Sequence, residues 1–237
     1  PLPELWHWLY FLPMAAQSEI GADGHPKKGG FLPPVALERR MWASSRLTFH
    51  QDLLIGEEIH KTSEILKVSE TQGKTGGMVF VTVRHSIHSE QGLAITEEQD
   101  IVYLPMPQSF TPPPPNLAPE ILQWRENYPV SPVLLFRFSA LTFNAHRIHY
   151  DRNYATEVEK YPGLVVHGPL QALLLMEAAK QHHSGSKPAT YTFRAVRPLF
   201  DFDPIMIGGQ SKPDGGHELY TVNGDHHIAM KASIHWR

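Results

Sequence analysis

VVHGPLQALLLMEAAKQ, residues 165–181, decides what the rest of the chain has to be. Pro169 suits the first turn of a helix, where a missing N–H loses no partner, and the residues after it are strong helix formers. The reading predicts a helix over 169–181. Leu170, Ala172, Leu173, Leu174, Leu175, Met176, Ala178 and Ala179 point all round its axis and not along one stripe. Such a helix must be enclosed on nearly every side by other parts of the chain.

The enclosing surface reads as β-structure. Ile228, Met230, Ala232, Ile234 and Trp236 alternate with Ala229, Lys231, Ser233 and His235, giving one covered and one wetter face. Segments 132–142, 189–196 and 218–222 also have strand composition. Earlier in the chain, strands are expected over 58–70, 78–88 and 93–104, separated by the turns QGKTGG and SEQG, a β-meander. Between the two groups lies PMPQSFTPPPPNLAP, 105–119, whose prolines remove N–H donors and fix φ. The expected organisation is an N-terminal half over 1–104, a proline-rich linker over 105–129, and a C-terminal catalytic half over 130–237. One apolar helix wrapped by an antiparallel meander is the hot-dog arrangement. The expected fold class is therefore α+β, a double hot-dog. The first half shows no matching apolar helix; 5–12, with Trp6, Trp8 and Tyr10, is short and is expected to pack on a surface of the sheet.

The 237 residues are 41% hydrophobic, enough for a substantial core. With 24 acidic and 21 basic residues the net charge is −3, so no basic field exists to attract nucleic acid or anionic lipid. The absence of cysteine removes thiolate catalysis, disulfides and Cys-based zinc sites and fits a reducing compartment, with the cytoplasm the default expectation. The longest apolar runs fall short of the roughly 20 residues of a membrane span. GxSxG, P-loop and GxGxxG motifs are missing, which disfavours serine hydrolases, nucleotide hydrolases and dinucleotide oxidoreductases.

Upstream of the predicted helix stands FNAHRIHYD, 143–151. His149 has the side chain suited to moving a proton near neutral pH. Asn144 can hold a water or an oxygen without ionising, or serve as a turn residue that accepts positive φ. Gly168 can offer its N–H at the positive end of a helix, or simply allow close packing. Asp151 sits where a helix starting at Arg152 needs an N-cap. His146 and His149 have HxxH spacing, but without a supporting ligand pattern no metal site is assigned. His182, His183, His226 and His227 read as exposed polar residues.

These residues resemble the MaoC-like hydratase/dehydratase family, whose signature is Asp, then Asn-Pro, then His five positions after the Asp. The matching positions here are Asn144, His146, Arg147 and His149, followed downstream by Val166, His167 and Gly168. The closer resemblance is to a subgroup with two hot-dog halves in which FN-x-HRIHYD replaces the Asp-containing version. Residues 6–12, GGFLPP and RRMWA also look like that subgroup. The resemblance implies addition of water across the double bond of a 2-enoyl-CoA thioester, with mesaconyl-C(4)-CoA or itaconyl-CoA as substrate and citramalyl-CoA as product. Coenzyme A is then part of the substrate, and no metal or redox cofactor is expected. It also implies a homodimer, and a mitochondrial matrix location in a eukaryote. Other readings of the same architecture are a fatty-acid 3-hydroxyacyl-thioester dehydratase, an acyl-CoA thioesterase and a non-catalytic acyl-CoA-binding subunit.

Residues expected at the substrate are His149, Asn144 and Gly168 for chemistry and His167 for shaping the pocket. Arg39, Arg40, Arg147 and Arg194 are candidates to meet a substrate carboxylate or a coenzyme A phosphate, a task that suits the guanidinium fork. Trp42 is a candidate for the acyl pocket wall. The replacement of the family Asp by Asn144 leaves one imidazole to serve both proton transfers unless a carboxylate arrives from the other half.

Overall fold

The apolar segment is helical, as its composition demands. Helix α1 (Pro132–Leu141) precedes it and α2 (Gly168–His182) contains it. In α2, Leu170, Gln171, Ala172, Leu174, Leu175, Met176, Ala178 and Ala179 are buried, and each large apolar side chain among them contributes about 1.5–3 kcal/mol through burial. The computed structural model describes residues 1–73, 76–183 and 185–237, so Lys74 and Thr75 of the expected QGKTGG turn lie outside the described residues.

The strands are β1 (Arg39–Phe49), β2 (His60–Gly73), β3 (Gly76–Ser89), β4 (Gly92–Leu104), β5 (Trp124–Tyr128), β6 (Pro188–Ala195), β7 (Ile205–Ser211), β8 (His217–Val222) and β9 (Ile228–Trp236). They form one nine-stranded sheet in the order β2-β3-β4-β1-β6-β9-β8-β7-β5. All neighbours are antiparallel. The β1–β6 pairing, Ser44 opposite Arg194 through Thr48 opposite Thr190, joins the first group of strands to the second. Helix α2 packs on β7, β8 and β9. Two hydrogen bonds fix its seat: Tyr191 Oη donates to the Ala172 carbonyl at 2.8 Å, and Thr221 Oγ1 donates to Gln171 Oε1 at 2.7 Å. The fold is α+β. No described helix is long and apolar enough to cross a membrane.

One sequence expectation needs revision, and three strands, β1, β5 and β7, were not anticipated. Segment 132–142 is helix α1 and not a strand: a run apolar at nearly every position fits either period, and here Ser131 caps the helix by accepting the Leu134 N–H at 3.2 Å, with Pro132 in the first turn. Strand β1 carries no alternation in its first half, because a bulge between Trp42 and Ser44 interrupts the register. Strands β5 and β7 stay hidden because glycines interrupt β7: a Cβ on Gly209 would lie 2.5 Å from the Trp124 ring, and one on Gly208 would lie 2.9 Å from the Trp124 carbonyl. Trp124 of β5, within 105–129, pairs opposite Gly209. The segment at 5–12 packs on the sheet as expected: it forms a 3₁₀ turn (Trp6–Leu9) whose flanking Leu5 and inner His7 are fully buried, with His7 and Trp8 against Glu97 of β4.

Strand period then positions the site. Trp42, opposite Ile101, falls on the same face of the sheet as His85 and Ile87 of β3 and Glu97, Gln99 and Ile101 of β4, and these residues border a large cavity. The N-terminal segment and this cavity occupy that face of the first four strands.

Candidate active site

The cavity measures about 1570 Å³ and is bordered by both parts of the chain. That exceeds the roughly 300–1,000 Å³ of an ordinary small-molecule pocket and suits an elongated ligand. Its walls include Trp8, Phe11, Trp42 and Phe138, with His149, Asn144, Gly168 and Gln171 along one side.

His149 sits on a 3₁₀ turn (Arg147–His149) and is 7% exposed. Its Nδ1–H donates to the Val165 carbonyl at 2.7 Å. A carbonyl only accepts, so Nδ1 carries the proton and the lone pair of the neutral ring lies on Nε2. Burial holds its pKa well below the ordinary histidine value, and the neighbouring His167 and His146 push the same way. His149 stacks on His167 with ring centroids 3.6 Å apart, and His167 is the residue just before Gly168. The imidazole and the helix start therefore share one corner of the cavity.

Gly168 opens α2, where the first N–H groups have no intrahelical acceptor. A Cβ there would meet only Met230 Cε at 3.8 Å and the Trp42 carbonyl at 3.9 Å, ordinary contacts, so close packing does not demand glycine. Gln171 also borders the cavity, a residue the sequence reading passed over within an apolar run. Thr221 fixes its Oε1, which leaves Nε2 without a protein partner among the described residues. Asn144 Oδ1 accepts the His146 N–H at 3.0 Å, an Asx turn. The positive φ of this turn belongs to Phe143, at 52°, and not to Asn144.

The remaining expected residues divide. Arg39, Arg40 and Trp42 border the cavity. Arg39 Nε donates to the Pro105 carbonyl at 3.0 Å, Arg40 to the Pro26 carbonyl at 3.2 Å, and Trp42 Nε1 to Ser45 Oγ at 2.9 Å. His167 does not border it: fully buried behind His149, it lies 2.8 Å through Nε2 from Ser139 Oγ, and burial lowers its pKa to about 3. Arg147 points elsewhere, held by Asp151 at 2.7 Å and the Ala22 carbonyl at 3.0 Å and lying over the Tyr154 ring. Arg194 is exposed on β6, because its neighbours Phe193 and Ala195 take the other face. Asp151 caps the following helical turn by accepting the Tyr154 N–H at 3.0 Å, as expected. His182 stacks on Trp124 and donates to Glu126 at 2.7 Å.

Two carboxylate–imidazole pairs were not anticipated. His146 Nε2–H donates to Glu159 Oε1 at 3.0 Å, both side chains buried. His25 Nδ1–H donates to Asp23 Oδ2 at 2.8 Å, and the His25 ring lies 4.2 Å from that of His146. Burial lowers the His25 pKa to about 4 despite Asp23. Burial alone would raise Asp23, but the hydrogen bond and charge of His25 outweigh it and hold the carboxyl at about 2. Asp23, His25 and His146 offer ligand atoms within 4.8 Å of one another, the described group that a metal ion would fit. A second buried carboxylate, Glu97, accepts from His7 at 3.2 Å, Trp8 at 3.0 Å and Ser45 at 2.9 Å at the cavity wall. His146–Glu159 and His7–Glu97, 13 and 90 positions apart, carry no local signal in the sequence.

Comparison with known proteins places this arrangement. The family model described as hydroxyacyl-thioester dehydratase type 2 matches residues 5–201. The chain belongs to that family. It is 46% identical over 239 residues to mesaconyl-C(4)-CoA hydratase of Chloroflexus aurantiacus, covering 99% of this chain and 83% of that one. It is 30% identical to the mitochondrial hydroxyacyl-thioester dehydratase type 2 of Schizosaccharomyces pombe, covering 85% and 75%. Among solved structures, a MaoC-like dehydratase superposes with a TM-score of 0.69 at 15% identity, covering 86% of this chain and 77% of that one. A Mycobacterium tuberculosis protein with a double hotdog fold superposes at 0.53 and 13% identity, covering 84% and 74%. The double hot-dog fold expected from the sequence holds, and so does the expected hydratase/dehydratase resemblance. The chain is an enzyme of the hydratase/dehydratase class, a hydro-lyase.

Proposed function

We propose that this enzyme adds water reversibly across the double bond of a 2-enoyl-CoA thioester, with mesaconyl-C(4)-CoA as substrate and citramalyl-CoA as product. The observation that carries the reading is the corner shared by His149, with its Nε2 lone pair, and Gly168, whose N–H has no acceptor among the described residues, on one cavity. The Gly168 N–H, joined by Gln171 Nε2, receives the thioester oxygen and stabilises the enolate that develops as water reaches the β-carbon. His149 Nε2 takes a proton from that water, and the Asn144 amide orients it. The oxygen forms its bond to the β-carbon, the π bond is consumed, and a proton is delivered to the α-carbon. Water adds without change of net oxidation state, and no metal or redox cofactor enters the scheme.

The reacting groups come from the C-terminal half and much of the cavity wall from the N-terminal half. The cations bordering the cavity, Lys27, Lys28, Arg39, Arg40, Lys61 and Arg197, are available to the free carboxylate of the acyl group and to the phosphates of coenzyme A. The identity with the Chloroflexus hydratase supports the dicarboxylyl substrate.

The test follows loss of enoyl-thioester absorbance with mesaconyl-C(4)-CoA and crotonyl-CoA, with a thiol reagent in parallel. The expected result is at least a tenfold higher kcat/KM for mesaconyl-C(4)-CoA, about 1.4 kcal/mol of discrimination, and no release of free thiol. Preference for crotonyl-CoA would replace this reading with a fatty-acid dehydratase. Thiol release would replace it with a thioesterase, and binding without turnover with a non-catalytic subunit.

A further inference from the structure

We propose that the Asp23–His25 pair is a second acid–base unit of the active site, in which His25 delivers to the α-carbon the proton that His149 removes from water. The inference rests on the hydro-lyase reading above.

His25 borders the same cavity as His149 although it comes from the first 30 residues of the chain. Its position is built. Ile20 bridges to Pro26, and the Gly21 N–H donates to the His25 carbonyl at 2.7 Å, closing a tight turn over 20–26. The turn is docked on the segment before His149: the Arg147 N–H donates to the Asp23 carbonyl at 2.9 Å, and the Arg147 guanidinium to the Ala22 carbonyl at 3.0 Å. Gly24 makes the fit possible, with φ 91° and so little space that a Cβ would lie 1.7 Å from the Ala145 carbonyl oxygen. Arg147, which faces away from the cavity, thus acts as the fastener of a turn that does face it.

The two imidazoles have different surroundings. His149 is held by a neutral carbonyl and stacks on another histidine, so a proton placed on it meets no carboxylate. His25 has Asp23 Oδ2 at 2.8 Å from Nδ1, so a proton placed on Nε2 creates an imidazolium that Asp23 stabilises. Arg40 and His146, the latter backed by Glu159, also face the His25 ring. Burial keeps both rings neutral at rest, and the carboxylate beside His25, absent at His149, suits His25 to carry the proton in the course of the reaction. In hydration, the water O–H breaks and its proton passes to His149 Nε2, then through solvent in the shared cavity to His25 Nε2, then to the α-carbon of the enolate. Both rings return to neutral, and the sum is one water added. Asp23 touches no substrate and is a positioning residue.

The test uses the full chain with citramalyl-CoA in deuterated water and mesaconyl-C(4)-CoA in ordinary water. His25→Gln should lower kcat for hydration by about 10²–10⁴-fold, with KM within threefold and the melting temperature little changed, and should abolish exchange of the α-hydrogen for deuterium. His149→Ala should lose hydration yet keep α-hydrogen exchange, because His25 and the Gly168 N–H suffice for enolisation. Asp23→Asn should reduce exchange and move its pH profile, a shift a merely structural role would not produce. Wild-type hydration and exchange in His25→Gln would overturn the proposal while leaving the hydro-lyase reading intact. Stoichiometric metal in the purified enzyme, lost in His25→Gln, would also overturn it. A wild-type enzyme that turns over no enoyl thioester would instead remove the hydro-lyase reading itself.

Discussion

His149 shows how far one hydrogen bond determines chemistry. Because Nδ1 is committed to the Val165 carbonyl, the basic nitrogen is Nε2, and because the ring is buried among histidines it stays neutral well below pH 6.5. The acidic limb of kcat/KM for the free enzyme is therefore expected below pH 6.5; a limb centred at 6.5 would show an unperturbed imidazole. At Gly168, substitution by proline removes the N–H while the preceding His167, at φ −59° and ψ 134°, already has the conformation a following proline requires. Gly168→Pro should lose about 10²–10³ in kcat with an unchanged fold by circular dichroism; full activity would exclude the N–H as the oxyanion donor. At this scale the sequence was informative where residues are contiguous: His149, Asn144 and Gly168 border the cavity. Arg147 and Arg194 were misassigned because a guanidinium looks the same in sequence whether it fastens a loop, faces solvent or meets substrate. The partners Asp23–His25 and His146–Glu159 meet the site only through the fold.

Among the elements, β5 and β7 depend on one side chain filling the space of missing ones. Trp124 lies against Gly208 and Gly209, so Gly209→Ala should overpack and destabilise by about 1–3 kcal/mol. Trp124→Ala should cost about 3–5 kcal/mol. The double substitution should be less harmful than the sum, and a denaturation cycle reads the coupling; simple additivity would contradict the contact. The same pair explains a gap in legibility, since a strand with two glycines reads as a loop until the covering ring is known. Strand β9 was legible to the residue because it alternates cleanly, whereas α1 was not, because its capping serine and proline sit beside a run that is apolar on every face.

For the molecule as a whole, the enclosed helix made the α+β class readable, and the edge-to-edge pairing of β1 with β6 was not, since pairing partners leave no mark on either strand alone. The buried histidines also give the molecule a pH response. His149, His167 and His25 have folded pKa values below 6.5, so between those values and 6.5 the unfolded chain binds protons that the folded chain refuses. Their contribution to stability is fully present above pH 6.5 and is lost as pH falls, by about 1.4 kcal/mol per pH unit for each group. Melting temperature should fall from pH 6.5 to pH 4.5; a rise over that window would contradict neutral burial. The central claim is that His149 takes the proton from water, and the direct measurement is the hydration rate of mesaconyl-C(4)-CoA by wild-type enzyme and His149→Ala under saturating substrate. The account predicts a loss of at least about 10²-fold in kcat in the variant, whereas hydration at the wild-type rate by a folded His149→Ala enzyme would contradict it.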